Sequence, residues 1–307
     1  MEKSLIEDIS DWMEKFKKTS IKMASYDRLE TSRNLLSCHP IANICTKDLT
    51  EEILQDYVND LTDRGYSLST IKKQFNLISG FLRYANVKGI FSRPIYESVR
   101  LPAQSVVLKP KREVVAYDIS EQERLRKVLE SGERPGYFAA LIMMETGLRI
   151  GECLALTWED IDWRRRALRV NKTFVRLGNR SRQFVQHEAK SFSSNRTVPI
   201  GQRAFGYFET LKKNARFDSG FIFTQGSTEP LSYEAMRYQI QKACEKADVP
   251  YLGQHAFRHT FATNCYNRGC DVKILSKLLG HSNVAITYNV YVHLFGDALE
   301  EMRKIVV

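Results

Sequence analysis

The chain has 307 residues, 43% hydrophobic and 27% charged, a globular balance with length for two domains, which excludes disorder throughout. Its longest clean apolar run, Tyr137 to Met144, is far short of the about 20 residues of a membrane span, and its charged start (Glu2, Lys3, Glu7, Asp8, Asp11) is unlike a secretory signal, so a cytoplasmic protein with no membrane partner is expected. The net charge is +10, with +1 in residues 1–100 and the rest beyond; the segment 163–196 sets ten basic residues against Glu188 alone, a field that suits a polyanion, although a solvated basic surface reads equally well.

In chain order, weakly patterned helices are expected near 4–18 and 24–37. Ile53, Leu54, Tyr57, Val58 and Leu61 then form one apolar helix face, and Leu68, Ile71, Phe75, Ile78 and Leu82 a second. Together these make a small helical bundle over 1–101. The other face of the second helix carries Lys72, Asn76, Ser79 and Arg83, with Lys73 beside them. Such a stripe either meets phosphates or is the wet side of the bundle. Residues 102–116 read as a basic linker, with Pro102, Pro110, Lys109, Lys111 and Arg112. A capping box is expected at Ser120-Glu121-Gln122-Glu123. Helix follows over 135–157, broken at Gly147. Short strands are expected at 167–170, 173–175, 184–186 and 197–200, and helices at 201–213, 231–247, 254–268, 271–279 and 284–293. The expected class is mainly α with a small β-sheet: a helical bundle, then a mixed α+β domain over 117–307.

Phosphate-binding glycine loops and Gly-x-Ser-x-Gly are both missing from the sequence. The six cysteines include no Cys-x-x-Cys, so free thiols in a reducing compartment are expected. Four of six histidines, His255, His259, His281 and His293, fall near the end. His255 and His259 at i, i+4 raise a metal reading, but a zinc protease would place Glu where Ala256 stands, and Arg258 would repel a cation. No metal or other cofactor is expected. An anion fits better, because Arg258 offers a planar fork for two phosphate oxygens beside His255. Arg149 lies between Leu148 and Ile150. Its bland reading is an ion pair with Glu152, worth only about 0.3–0.5 kcal/mol if exposed.

The string Thr146-Gly147-Leu148-Arg149-Ile150-Gly151-Glu152 resembles the first arginine box of the tyrosine recombinases, also called the phage-integrase family. His255-Ala256-Phe257-Arg258-His259 resembles their His-x-x-Arg box, and Leu278-Leu279-Gly280-His281 the following turn. Tyr291 stands ten residues after His281, at the expected nucleophile position. Lys190, before Asn195-Arg196-Thr197-Val198-Pro199, resembles the lysine of the family's β-hairpin. The match spans about 145 to 293. The N-terminal part, with Tyr26-Asp27-Arg28-Leu29-Glu30, resembles the core-binding domain of conjugative-transposon integrases. Integrases of the longer kind carry an arm-binding domain before this part; this sequence starts at the core-binding part, as expected either of a short recombinase or of a longer one trimmed of that domain. Ile286-Thr287 stand where the family often has two threonines, and Tyr288 lies one turn from Tyr291.

The resemblance implies a core-binding domain over 1–101 and a catalytic domain over 117–307. It also implies a site-specific recombinase acting through a 3′-phosphotyrosine. Arg149 and Arg258 would clamp the phosphate, Lys190 protonate the leaving oxygen, His255 assist proton transfer and His281 bond a non-bridging oxygen. Tyr291 would attack, and Glu152 would orient its neighbours. DNA contacts are expected from Lys72, Lys73, Asn76, Arg83, Lys109, Lys111, Arg112, Arg176, Arg180 and Arg182. The implied partners are double-stranded DNA, a homotetramer on two duplexes that is monomeric or weakly associated without DNA, and an accessory excision factor, all at a bacterial nucleoid. Residues 297–307 would form an exchange helix. The alternatives are a type IB topoisomerase-like enzyme and an inactive DNA-binding relative.

Overall fold

The structure, a computed structural model, describes residues 2–107, 115–176, 178, 183–186, 195–215, 220–224, 226 and 228–291, with the backbone alone for 183, 184 and 289–291. The chain divides into two compact units, Met1–Arg112 with Leu177–Arg182, and Glu113–Arg176 with Gln183–Val307.

The first unit is helical. Helix α1 (Leu5–Trp12) runs into one π turn (Met13–Lys17), followed by α2 (Met23–Ser37), α3 (Glu51–Asp63) and α4 (Leu68–Val87). Thr50 caps α3 through the Ile53 amide, and Ser67 caps α4 through the Thr70 amide. The apolar faces read from periodicity turn inward: Leu54, Tyr57, Val58 and Leu61 meet Ile71, Ile78 and Leu82 in one core. The buried Tyr57 hydroxyl donates to Gln74 Oε1 at 3.0 Å, which satisfies both groups. Lys72, Lys73, Asn76 and Arg83 are exposed on α4, but Ser79 is buried. That corrects the expected stripe. A short hydroxyl side chain is covered by the packing around it, whereas long basic side chains reach past it to water.

The second unit is built around α6 (Pro135–Thr146), which is buried on nearly all sides and apolar all round for that reason. Around it lie α5 (Ile119–Glu130), α7 (Ile150–Leu154), α8 (Gln202–Lys213), α9 (Tyr233–Ala247) and α10 (Ala256–Asn267). Helices α11 (Val272–Leu279) and α12 (Val284–Tyr291) follow. Strands β1 (Ile161–Asp162), β2 (Ala167–Val170) and β5 (Arg196–Pro199) make an antiparallel sheet in the order β1-β2-β5, while β3 (Thr173–Arg176) pairs with β4 (Gln183–Gln186). The capping box lies two residues earlier than expected. Asp118 Oδ1 accepts the Glu121 amide at 2.8 Å, and Glu121 Oε2 accepts the Asp118 amide at 2.9 Å. Asp118 has the extended backbone of a cap, so Ser120 is already helical. Among the described residues, no helix is long and apolar enough to cross a membrane.

Candidate active site

Helix α6 stops at Gly147, whose φ of +66° is a left-handed cap that suits glycine. A side chain there would also run into Phe261 and Leu279. The chain turns, buries Leu148, and places Arg149 as the cap of α7. Glu152, one turn on, accepts the Arg149 amide at 2.9 Å through Oε2 and Arg149 Nη1 at 2.8 Å through Oε1. Strand periodicity puts Arg196 on the same face of β5 as the buried Val198. Its guanidinium grips the same carboxylate, Nη1 to Oε1 at 3.0 Å and Nη2 to Oε2 at 2.9 Å.

From α10 the buried Arg258 donates Nη1 to the Gly147 carbonyl at 2.8 Å and Nη2 to the Leu279 carbonyl at 2.7 Å. Arg149 Nη2 donates to the Gly280 carbonyl at 2.8 Å, and Arg196 Nε to the Leu278 carbonyl at 2.6 Å. Three arginines from three elements therefore hold three consecutive carbonyls at the end of α11. Such carbonyls have no partner inside a helix and carry its negative dipole end. Gly280, at φ +66°, turns the chain out of α11 and lets His281 enter the cluster. His281 Nε2 lies 2.9 Å from Arg258 Nη2, and its Nδ1 lies 2.8 Å from the Oγ1 of the buried Thr287 on α12.

The cluster sets three guanidiniums against one carboxylate, which only Arg149 and Arg196 bond, so it keeps positive charge for an anion. Burial raises the Glu152 carboxyl, but the bonds and charges of Arg196 and Arg149 outweigh it and hold it at about 2. His281 is pushed down to about 4, first by burial and then by Arg258, Arg149 and Arg196. His259 is also lowered to about 4, by burial and then by His255 and Arg258. His255, the residue preceding α10, is lowered by the partial loss of hydration around its ring first and then by Arg258 and Arg149. These rings are neutral near pH 7. Among the described residues, no three His, Cys, Asp or Glu side chains are placed to hold a metal ion.

Residues 118–297, more than half of the chain and spanning this whole cluster, match the model of the phage integrase family. The chain belongs to the phage integrase family. A XerC-like tyrosine recombinase of Caldanaerobacter subterraneus subsp. tengcongensis is 28% identical over 304 residues, covering 92% of this chain and 77% of that one. The Tn1549 transposon integrase, solved with a circular intermediate DNA, superposes with a TM-score of 0.79 at 20% identity, covering 99% of each chain. A lambda integrase tetramer bound to a Holliday junction superposes with a TM-score of 0.67 at 16% identity, covering 94% of this chain and 77% of that one. As a family member, this integrase is a tyrosine-type site-specific DNA recombinase, an enzyme that cleaves and rejoins DNA strands. Neither the topoisomerase-like nor the inactive alternative gains support from these matches.

The integrase brings Arg149, Glu152, Arg258 and His281 into one hydrogen-bonded cluster, and His255 lies three residues before Arg258. Tyr291 closes α12, with its side chain outside the described residues. Lys190, Arg180, Arg182, Lys109, Lys111 and Arg112 also lie outside them. Arg176 pairs with Glu234 at 2.8 Å, partly exposed. Lys72, Lys73, Asn76 and Arg83 belong to the first unit. In the sequence Arg196 is marked only as one of ten basic residues and as part of the string that follows Lys190, and Thr287 only as standing where the family often has a threonine, with no role implied for either. The available signal for Arg196 was its place opposite Thr197 in an alternating strand, since an inward arginine needs a buried carboxylate.

Proposed function

We propose that this integrase excises and integrates a mobile element through a 3′-phosphotyrosine intermediate. The supporting observation is the arginine cluster over the end of α11, joined through His281 and Thr287 to the helix that ends in Tyr291. A phosphodiester gains charge on its non-bridging oxygens as it is attacked, and preorganised guanidiniums stabilise that charge. In this reading Arg149 and Arg258 clamp the phosphate, with Glu152 orienting the first. His281 bonds a non-bridging oxygen, and His255 helps take the tyrosine proton. The Tyr291 oxygen forms the new bond to phosphorus as the bond to the 5′-oxygen breaks. Lys190 gives that oxygen its proton. Attack by a 5′-hydroxyl of another strand reverses these steps, and the conserved bond energy makes ATP unnecessary.

Tyr291 stands one helical turn after the buried Thr287, whereas Tyr288 is 50% exposed. Tyr291→Phe should therefore abolish the covalent protein–DNA adduct and leave binding intact, while Tyr288→Phe should leave the adduct. The opposite pattern would overturn the assignment. A 5′-thio leaving group, which needs no proton, should rescue Lys190→Ala.

The proposed organisation is a core-binding domain over 1–101, a linker over 102–116 and a catalytic domain over 117–307. Its partner is double-stranded DNA. Exposed Lys72, Lys73, Asn76 and Arg83 are candidate contacts, together with Arg176, Arg180, Arg182, Lys109, Lys111 and Arg112. The working assembly is a homotetramer on two duplexes, closed by exchange of residues 297–307 and weak without DNA. It acts on the bacterial nucleoid in the cytoplasm, with an accessory factor directing excision and with no cofactor.

A further inference from the structure

We propose that Arg196 is a positioning residue for the reaction: by binding Glu152 it orients Arg149 and frees the positive charge of Arg149 for the scissile phosphate. This rests on the reading that Arg149 contacts that phosphate.

The Arg196 side chain is 7% exposed and Glu152 6%, whereas Arg149 is 35% exposed. Arg196 is spent inside the protein. Nη1 and Nη2 fork onto the carboxylate, and Nε holds the Leu278 carbonyl. Each Glu152 oxygen also receives one bond from Arg149, Oε1 from the guanidinium and Oε2 from the amide. The carboxylate thus joins a buried arginine on β5 to a half-exposed one at the start of α7. Two consequences follow from elementary electrostatics. Four bonds fix the carboxylate plane, and the plane fixes the direction of the Arg149 guanidinium. Paired with Glu152 alone, Arg149 would present a nearly neutral ion pair to an incoming anion. With Arg196 cancelling the carboxylate, the trio keeps a net positive charge, and the exposed member carries it.

Arg196 also donates to Leu278, beside the Leu279 and Gly280 carbonyls held by Arg258 and Arg149. It therefore anchors the same turn from which His281 emerges. β5 pairs with β2 along Val170↔Arg196 to Ala167↔Pro199, so a sheet strand supplies the fixed end of this chain of contacts. Rigid elements hold such supporting groups more closely than loops do.

The test is single-turnover cleavage of a nicked recombination-site duplex by the full chain, with half-site affinity measured in parallel. Arg149→Ala should lose about 100-fold or more in cleavage, the usual scale for one oxyanion donor. Arg196→Gln should lose about 10–100-fold, as supporting partners in metal sites do, with half-site affinity nearly unchanged. Arg196→Lys, which keeps the charge but not the fork, should recover part of that loss. In the Arg149→Ala background, Arg196→Gln or Arg196→Lys should cost clearly less than in the parent, because Arg149, the group it positions through Glu152, is gone and only the anchor on Leu278 is lost. Should Arg196→Gln fail to fold, Arg196→Lys carries the same comparison in both backgrounds. An equal loss in the two backgrounds, or no loss in either, overturns the proposal. If Arg149→Ala itself cleaves normally on bound DNA, the phosphate role of Arg149 fails, and this inference falls with it.

Discussion

Arg258 Nη2 sits 2.9 Å from His281 Nε2. A guanidinium only donates, so that ring nitrogen accepts, and the ring proton lies on Nδ1, where it donates to Thr287 Oγ1 at 2.8 Å. The tautomer of His281 is thus assigned by two neighbours, one on α10 and one on α12.

Thr287→Val should leave the His281 Nδ1–H without its acceptor in a buried place. A stability loss of about 1–3 kcal/mol is expected, the cost of an unsatisfied buried donor. Thr287→Ser, which keeps the hydroxyl, should recover much of it. Urea denaturation of the three proteins checks this, and equal stability of Val and Ser variants would refute it.

The lowered histidines make a pH prediction for the DNA-free protein. His281 and His259 titrate near 4 when folded and near 6.5 when unfolded. The unfolded chain binds more protons between those values, so stability rises with pH there. Their contribution is full above about pH 6.5 and is lost as pH falls toward 4. His281→Gln should flatten the fall in melting temperature between pH 6.5 and 4. An unchanged slope would show that His281 does not drive it.

Gly147→Ala should destabilise by more than about 1 kcal/mol. Its φ of +66° is strained for a side chain, and the new methyl group would meet Phe261 and Leu279. Since Arg258 holds the Gly147 carbonyl, cleavage should fall more than half-site binding. A variant as stable and active as the parent would refute this.

Lys72 and Lys73 are exposed on α4. If each neutralises one phosphate, Lys→Ala at either position should lower the slope of log affinity against log salt by about 0.9. Affinity measured over a salt series tests this. An unchanged slope would remove α4 from the DNA contacts.

The sequence alone determined the helical faces, the break at Gly147 and the boxes holding Arg149, Arg258 and His281. Each of these is written within a dozen residues, through 3.6-residue periodicity, turn chemistry and local spacing. The strands 167–170 and 197–200 were legible in the same way, because alternation needs only a few residues, although the second begins one residue earlier, at Arg196. Tertiary structure decided the pairings between distant segments. Arg196 and Glu152 are 44 positions apart, and nothing local distinguishes this arginine from its nine basic neighbours in 163–196 until β5 turns it inward. The sharing of the 278–280 carbonyls among three arginines depends on α7, β5 and α10 all starting near the tip of α11. Ser79 went the other way: its spacing matched Lys72 and Arg83, but packing covered the short side chain and left the long ones in water.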